Sequence, residues 1–597
     1  MKKFRFSVLL LAAGFAGFAV GNAQPKNILR EGLSGRWTDD DRTVKYVTPS
    51  RILWHTPNVS GTERLLKPGS SQVTADRMEC CLLDSRNGET ASLLLDFGKE
   101  LHGGIRIASA IRDSKKPLRV RIRLGESVSE AMSDTQTSTA TNDHAMRDFT
   151  LEVPWLGVVE TGNSGFRFAR IDLSEPDCVL PLAAVTAAFK FRDIPYLGSF
   201  VCNDPRLNRI WETGAYTVHL NMQDYVWDGI KRDRLVWLGD LHPELMSVNT
   251  VFGDAPVLRA TLDFGRDHTP LPGWMNGMCS YSLWWIISHR DLYLYRGDLS
   301  YLAEQRDYLH ALTDQILADI RGNREMLSGQ RFLDWPTSEN PEIIHTGLQA
   351  LTRMALDAGS QIGAWLGDRA LSAKCEKASG KLAGHVPNHG GVKQAAALLA
   401  LSGLENAQAM SREVIAADGA RRFSTFYGYY MLEAMAAAGD YERAMEIISD
   451  YWGAMLDLSA TSFWEDLNYE DALKASRIDK FVPEGGFDLH ARSGAYCYEG
   501  FRGSFCHGWA AGPTPWLSKH ILGIAPVEPG CRTVRISPHL GKLDWAKGTF
   551  PTPFGIIEAE HRKGEDGKIR SRISVPKGIR IVWDEEVRKQ DRSVSYR

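Results

Sequence analysis

The sequence has no C-x-x-C pair, no G-x-S-x-G elbow, no G-x-x-x-x-G-K-[ST] loop and no G-x-G-x-x-G fingerprint. These absences exclude a dithiol or paired-cysteine zinc motif, a serine-elbow hydrolase, and the usual cradles for nucleotide phosphates. Nine cysteines are an odd, scattered set apart from Cys80-Cys81, so no disulfide framework is expected and buried free thiols are. His242 and Glu244 lack the spacing of a zinc motif, and no metal or cofactor is implied. The net charge is only −3, which gives no reason to expect a nucleic-acid partner. Beyond the N-terminus no apolar run is long enough for a transmembrane helix, and no fixed-period repeat marks a solenoid.

What is present is length, aromatic content and a change of pattern. At about 150 residues per domain, 597 residues make three or four units. Residues 1–23 read as a secretory signal peptide: basic Lys2, Lys3 and Arg5, an apolar run from Val8 to Val20, and small Gly21 and Ala23 around a cut after Ala23. Export to the periplasm or beyond, with no stable membrane insertion, is the expectation. Residues 24–200 are β-rich. Leu118–Leu124 alternates apolar with charged residues, and Phe166–Leu173 alternates with one slip of phase between Phe168 and Ile171, which suggests a bulge. A β-sandwich is expected there. Residues 201–525 turn helical, with apolar three- and four-residue spacing over 298–320, 343–366, 391–401 and 425–451. Short Gly/Asn/Asp breaks make these antiparallel hairpins, closing into an (α/α) barrel or stacking. From 526 to 597 strand patterns return, as a small C-terminal β-sandwich with a charged, frayed tail after about 586.

The densest polar constellation is Asp228-Gly229-Ile230-Lys231-Arg232-Asp233-Arg234-Leu235-Val236-Trp237-Leu238-Gly239-Asp240, between Trp227 and the run His242-Pro243-Glu244. A solvated charged turn has no need of Trp and Gly in such company, whereas a sugar-binding cleft does, because ring faces stack on aromatics while hydroxyls bond to carboxylates. A second cluster is Thr461-Ser462-Phe463-Trp464-Glu465-Asp466. Two carboxylates from distant chain segments are what glycoside hydrolysis needs: one protonates the leaving oxygen, and the other activates water or attacks the anomeric carbon. Further cleft candidates are Asp334-Trp335, Trp284-Trp285, Trp274, Tyr427 and His507 in Cys506-His507-Gly508-Trp509. For any single Trp, a place in the core is the more frequent outcome.

The run from Asp228 to Asp240 resembles the signature of bacterial α-L-rhamnosidases of glycoside hydrolase family 78: an Asp, then Arg followed by acidic residues, then Trp, Gly and Asp. Thr461–Glu465 is similar to that family's later Thr-rich, Trp-Glu segment, and Cys506-His507-Gly508-Trp509 with Gly512-Pro513 to the pattern near the end of its helical barrel. The likeness covers roughly residues 200–590 in order. It implies a β, (α/α)6 barrel, β architecture with fewer accessory β domains than many members. It also implies an exo-acting, inverting α-L-rhamnosidase with Asp233 as general acid and Glu465 as general base. Asp228, Arg232, Trp237, Asp240, Trp285, Asp334, Trp335, Trp464 and His507 then line the sugar site. One departure stands out: many members carry Glu where this chain has Asp233, one methylene shorter. Other readings stay open, namely an (α/α)6 glycosidase of different specificity, a catalytically impaired sugar-binding relative, and a lyase using Tyr427 or His507 as base.

Overall fold

The computed structural model describes residues 36, 38–69, 71–492, 494, 498–584 and 592–597, and the leader expected over 1–23 lies outside them. Within Arg42–Arg597, one compact unit, the chain is sheet-rich, then helical, then sheet-rich again.

The first part is built on a nine-stranded sheet whose long strands Ala91–Ser109, Gly157–Leu173 and Val179–Arg192 are paired antiparallel. The alternation read in Leu118–Leu124 is borne out in the strand Leu118–Gly125: Val120, Ile122 and Leu124 are fully buried while Arg119 faces solvent. The bulge expected between Phe168 and Ile171 is not there, because Phe168, Ala169, Arg170 and Ile171 pair in unbroken register with Asp96, Leu95, Leu94 and Leu93. The register shift lies beside it, on the partner strand between Asp96 and Leu101. The apparent slip of phase has another cause: Phe168 and Ala169 are both buried, so this strand is covered on two faces and need not alternate.

The helical part contains α1 (Pro205–Asn221), α2 (Leu241–Val251), α3 (Cys279–Arg296), α4 (Pro341–Trp365), α5 (Lys393–Leu401), α6 (Gly428–Ala437), α7 (Tyr441–Asp457) and α8 (Pro513–Trp516). Start signals are local. The Asp204 carboxylate accepts from the Arg206 and Leu207 N–H groups and Pro205 opens α1; Asn340 accepts from Ile343 N–H and Pro341 opens α4. The run expected as one helix over 425–451 is two, broken at Gly439, whose φ of 79° ends α6 in the left-handed region. Likewise 298–320 divides at Gln305 into Leu299–Glu304 and Arg306–Ala318. Neighbours run α1, α2, α3, α4, α5, α6 and return to α1 through α8. Their facing sides are apolar, so one continuous core forms. No helix among the described residues is long and apolar enough to cross a membrane.

In the last part Gly555–Lys563 and Ile569–Val575 form the expected hairpin, beside Trp545–Thr552 and, at the edge, Ser199–Cys202 from before the helices. The tail is not wholly frayed: Arg592–Tyr596 pairs in parallel with Ile569–Val575. Every cysteine among the described residues is free, and all but Cys178 are buried.

Candidate active site

The segment Asp228–Asp240 joins α1 to α2 and turns back on itself. The Asp228 carboxylate accepts from Leu235 N–H at 2.9 Å, closing the loop. Asn276 clamps its far side, donating to Val236 O and accepting from Leu238 N–H. At the turn, Asp233 and Arg234 adopt φ of 23° and 57°, a conformation costly for side-chain-bearing residues. In this turn Asp233 lies beside Arg232.

Glu465 arrives from the loop after α7. Its backbone pairs with Ser504, and its carbonyl accepts from Trp509 Nε1 and Thr425 Oγ1. Arg232 joins the two segments. Its Nη1 donates to Asp233 Oδ1 at 2.6 Å and its Nη2 to Glu465 Oε1 at 2.5 Å. Its Nε bonds Arg502 O, and the guanidinium lies 3.5 Å over the Tyr498 ring. Trp237 Nε1 donates to Asp233 Oδ2 at 3.2 Å. Thus Asp233 and Glu465, 232 residues apart by numbering, share one cation.

The electrostatics divide the carboxyls. Burial alone pushes Glu465 up, but Arg232, His507 and the Ser504 N–H together hold it below the ordinary glutamate range. Asp228 is driven well above its usual value by burial and by the neighbouring Asp233 and Asp240 charges. Asp240 is raised by burial, against hydrogen bonds from His507 (3.3 Å) and Tyr281 Oη (2.9 Å). Glu244 is also pushed well up by burial and by Asp240, and its Oε1 has no partner. It faces Gly508, where a Cβ would meet that oxygen at 1.8 Å. Several carboxyls crowded into one buried site cannot all be charged, so some stay neutral and can donate hydrogen bonds.

Other expected residues fall into place unevenly. His507 pairs backbone to backbone with Gly229, and Gly508 N–H donates to Asp228 O, so this segment is part of the cluster. Asp334 accepts from Ser424 and Gln394 and is pushed to about 6, mainly by burial. Trp335 is half-buried and approaches the site through Tyr498, ring centres 6.5 Å apart. Trp285 is set apart from it. Trp285 is fully buried, donates to Leu262 O and meets Tyr308, because it faces the outer side of α3. Trp464 is buried too, with one face stacked on Phe505 at 4.1 Å. Trp284 stacks on Tyr430 and His242 in the core.

Several residues at the site carried no sequence signal: Tyr281, Tyr498, Ser424 and Gln394, and groups from the sheet-rich first part. Lys231 Nζ enters a buried socket formed by Glu126 (2.9 Å), Glu130 (3.2 Å) and the carbonyls of Phe501 and Gly503. Glu126, Glu130 and buried His490 have metal-ligand spacing, but the ammonium already occupies the cation's place among them. Asp466, next to Glu465, joins the cluster; burial and the neighbouring carboxylates push it to about 7.

Residues 195–387 match the bacterial α-L-rhamnosidase six-hairpin glycosidase domain, and residues 523–583 the bacterial α-L-rhamnosidase C-terminal domain. In these two segments the chain is similar to the bacterial α-L-rhamnosidases. Over 530 residues it is 24% identical to an α-L-rhamnosidase from Alteromonas sp. (strain LOR), covering 80% of this chain and 54% of that protein. Among solved structures, a family 78 rhamnosidase of Bacillus sp. GL1 superposes with a TM-score of 0.70 at 21% identity, covering 87% of this chain and 56% of that one. The Streptomyces avermitilis α-L-rhamnosidase complexed with L-rhamnose superposes at 0.66 and 18% identity, covering 89% and 49%. At these identities the superpositions establish the fold, and the chain spans about half the length of those proteins.

Proposed function

We propose that this protein is an exported, exo-acting glycoside hydrolase that removes terminal α-L-rhamnose with inversion. The helical part then acts as an (α/α)6 barrel flanked by β-sandwiches, as the ring of helix neighbours and the two sheet-rich ends support. The basic, apolar and small-residue pattern of residues 1–23 supports export.

The observation that carries the reading is the Arg232 bridge between Asp233 and Glu465. One guanidinium fork holds the two bonded oxygens at most roughly 7.5 Å apart. That is compatible with the separation of about 6.5–9.5 Å that leaves room for a water between acid and base. Glu465, held ionised, takes a proton from that water as it attacks the anomeric carbon. Asp233 gives a proton to the leaving oxygen. The buried, proton-binding Asp228 and Asp240, with His507, hold the sugar hydroxyls, and Trp335 offers a ring at the margin. The substrate is a rhamnose-containing carbohydrate.

Protein lacking residues 1–23, assayed on an aryl α-L-rhamnoside, should release rhamnose. Asp233→Asn and Glu465→Gln should each abolish turnover while retaining rhamnose binding by calorimetry. A second reading, a sugar-binding relative without turnover, draws on the short Asp233 side chain, both of whose oxygens are already engaged. Binding without hydrolysis by the unmodified protein would establish that reading instead, and an unsaturated product absorbing in the ultraviolet would replace both with a lyase.

A further inference from the structure

His144 lies in the sheet-rich first part, between Leu118–Gly125 and Asp148–Val153, far in sequence from Asp228–Asp240. Its Nδ1 is nonetheless 3.4 Å from Asp233 Oδ1. Its Nε2 is 3.4 Å from Arg502 Nη2 and 3.6 Å from Asp143 Oδ2, and Arg502 in turn pairs with Asp143. The charged groups facing the ring are therefore Asp143 and Arg502 on one side and Asp233, with its partner Arg232, on the other. A cavity of about 10 Å³, room for one water, opens beside His144, Asp143, Arg502 and Arg232.

The tautomer follows from these partners. A guanidinium can only donate, so Nε2 accepts from Arg502, and the neutral ring must carry its proton on Nδ1. That nitrogen stands 3.4 Å from Asp233 Oδ1, a close approach rather than a formed hydrogen bond, and Oδ1 already accepts from Arg232 Nη1 at 2.6 Å. With Arg232 donating to Oδ1 and the imidazole near enough to join it, the acid proton of Asp233 belongs on Oδ2, which among the described residues accepts from Trp237 Nε1.

We propose that His144, supplied by the N-terminal sheet-rich part, is a positioning residue that dictates which oxygen of Asp233 bears the acid proton and so aims it at the leaving group. This rests on the function proposed above. It makes the first part of the chain a contributor to the site, anchored there by the Lys231 socket and by Arg234, whose Nη1 donates to Asn163 O. In the step concerned, the Asp233 Oδ2–H bond breaks as the proton passes to the glycosidic oxygen and the C–O electron pair leaves with that oxygen. His144 keeps its own proton throughout.

The test compares His144→Ala and His144→Asn, the latter placing an amide N–H near the Nδ1 position, on two α-L-rhamnosides. With an alkyl leaving group, which needs the acid, His144→Ala should lower kcat about 10- to 100-fold and shift the alkaline limb of the pH profile. With a 2,4-dinitrophenyl leaving group, which does not, the change should stay within about threefold, and His144→Asn should recover most of the alkyl activity. An equal loss on both substrates, or none on either, overturns the proposal. A second measurement is independent of turnover: in protein labelled with 15N-histidine, the resonance missing from His144→Asn should show the Nδ1–H tautomer at neutral pH. The Nε2–H tautomer overturns the proposal. Failure of the unmodified protein to cleave either rhamnoside overturns the function above, and the tautomer then decides the placement of His144 alone.

Discussion

Replacing Arg232 by Met keeps an apolar stem and removes every donor, leaving Glu465 and Asp233 without their shared cation. Glu465 is 4% exposed and Arg232 3%, so the pair is desolvated, and breaking such a pair costs about 3–5 kcal/mol because a charge is left uncompensated. The sign of the pH dependence is fixed by the direction of the shift. In the parent protein Glu465 is held below its ordinary value, so its contribution to stability is full above about pH 4.3, the unfolded value, and fades as pH falls through the depressed folded one. In Arg232→Met burial remains and the cation does not, so Glu465 moves up. The variant should be weakest relative to the parent at neutral pH, and the gap should narrow as pH falls to about 3. Urea midpoints measured from pH 3 to 8 read this directly. In activity, a base that now holds its proton should move the acidic limb of the kcat/KM profile upward and lower the neutral rate by about 10²–10⁴. Parallel stability curves for the two proteins at all pH values would refute the claim that Arg232 keeps Glu465 ionised.

Lys231→Met should cost about 3–5 kcal/mol in urea denaturation, since Glu126 and Glu130 lose their ammonium in a fully buried socket. Asp334, pushed to about 6 chiefly by burial, binds its proton more tightly folded than unfolded, so it makes stability fall as pH rises from about 4 to about 6; Asp334→Asn should flatten that fall, on the order of 3 kcal/mol, in the same urea series. Trp285→Phe should lower stability by about 1–3 kcal/mol yet leave KM within about twofold, whereas Trp335→Ala should raise KM about three- to tenfold with little loss of stability. Steady-state kinetics beside thermal melts separate the two tryptophans.

The sequence made the two acidic clusters visible because their chemistry is written in consecutive residues: charge, Gly and Trp together from Asp228 to Asp240, and Trp-Glu-Asp at 464–466. It also placed strands and helices well wherever one face was buried, as in Leu118–Gly125. Where a strand was covered on both faces, as at Phe168-Ala169, periodicity lost its meaning and suggested a bulge that is absent. Tryptophan roles could not be separated either, since what Trp285 and Trp335 face is set by the packing around each. Most of what was illegible crosses between parts of the chain. The Glu126–Glu130 socket for Lys231 and the approach of His144 to Asp233 are tertiary facts with no local signature. The strained φ at Asp233 and Arg234 was equally hidden, because no glycine marks that turn.

The central claim is that Asp233 and Glu465, held on one guanidinium, act as acid and base across a water. The stereochemistry of the first product tests it most directly. Proton NMR of the anomeric region, recorded in the opening minutes of hydrolysis of an aryl α-L-rhamnoside, should show β-L-rhamnose appearing first and the α anomer only as mutarotation proceeds. Initial release of α-L-rhamnose would mean that one carboxylate attacks the sugar itself, and it would contradict the account.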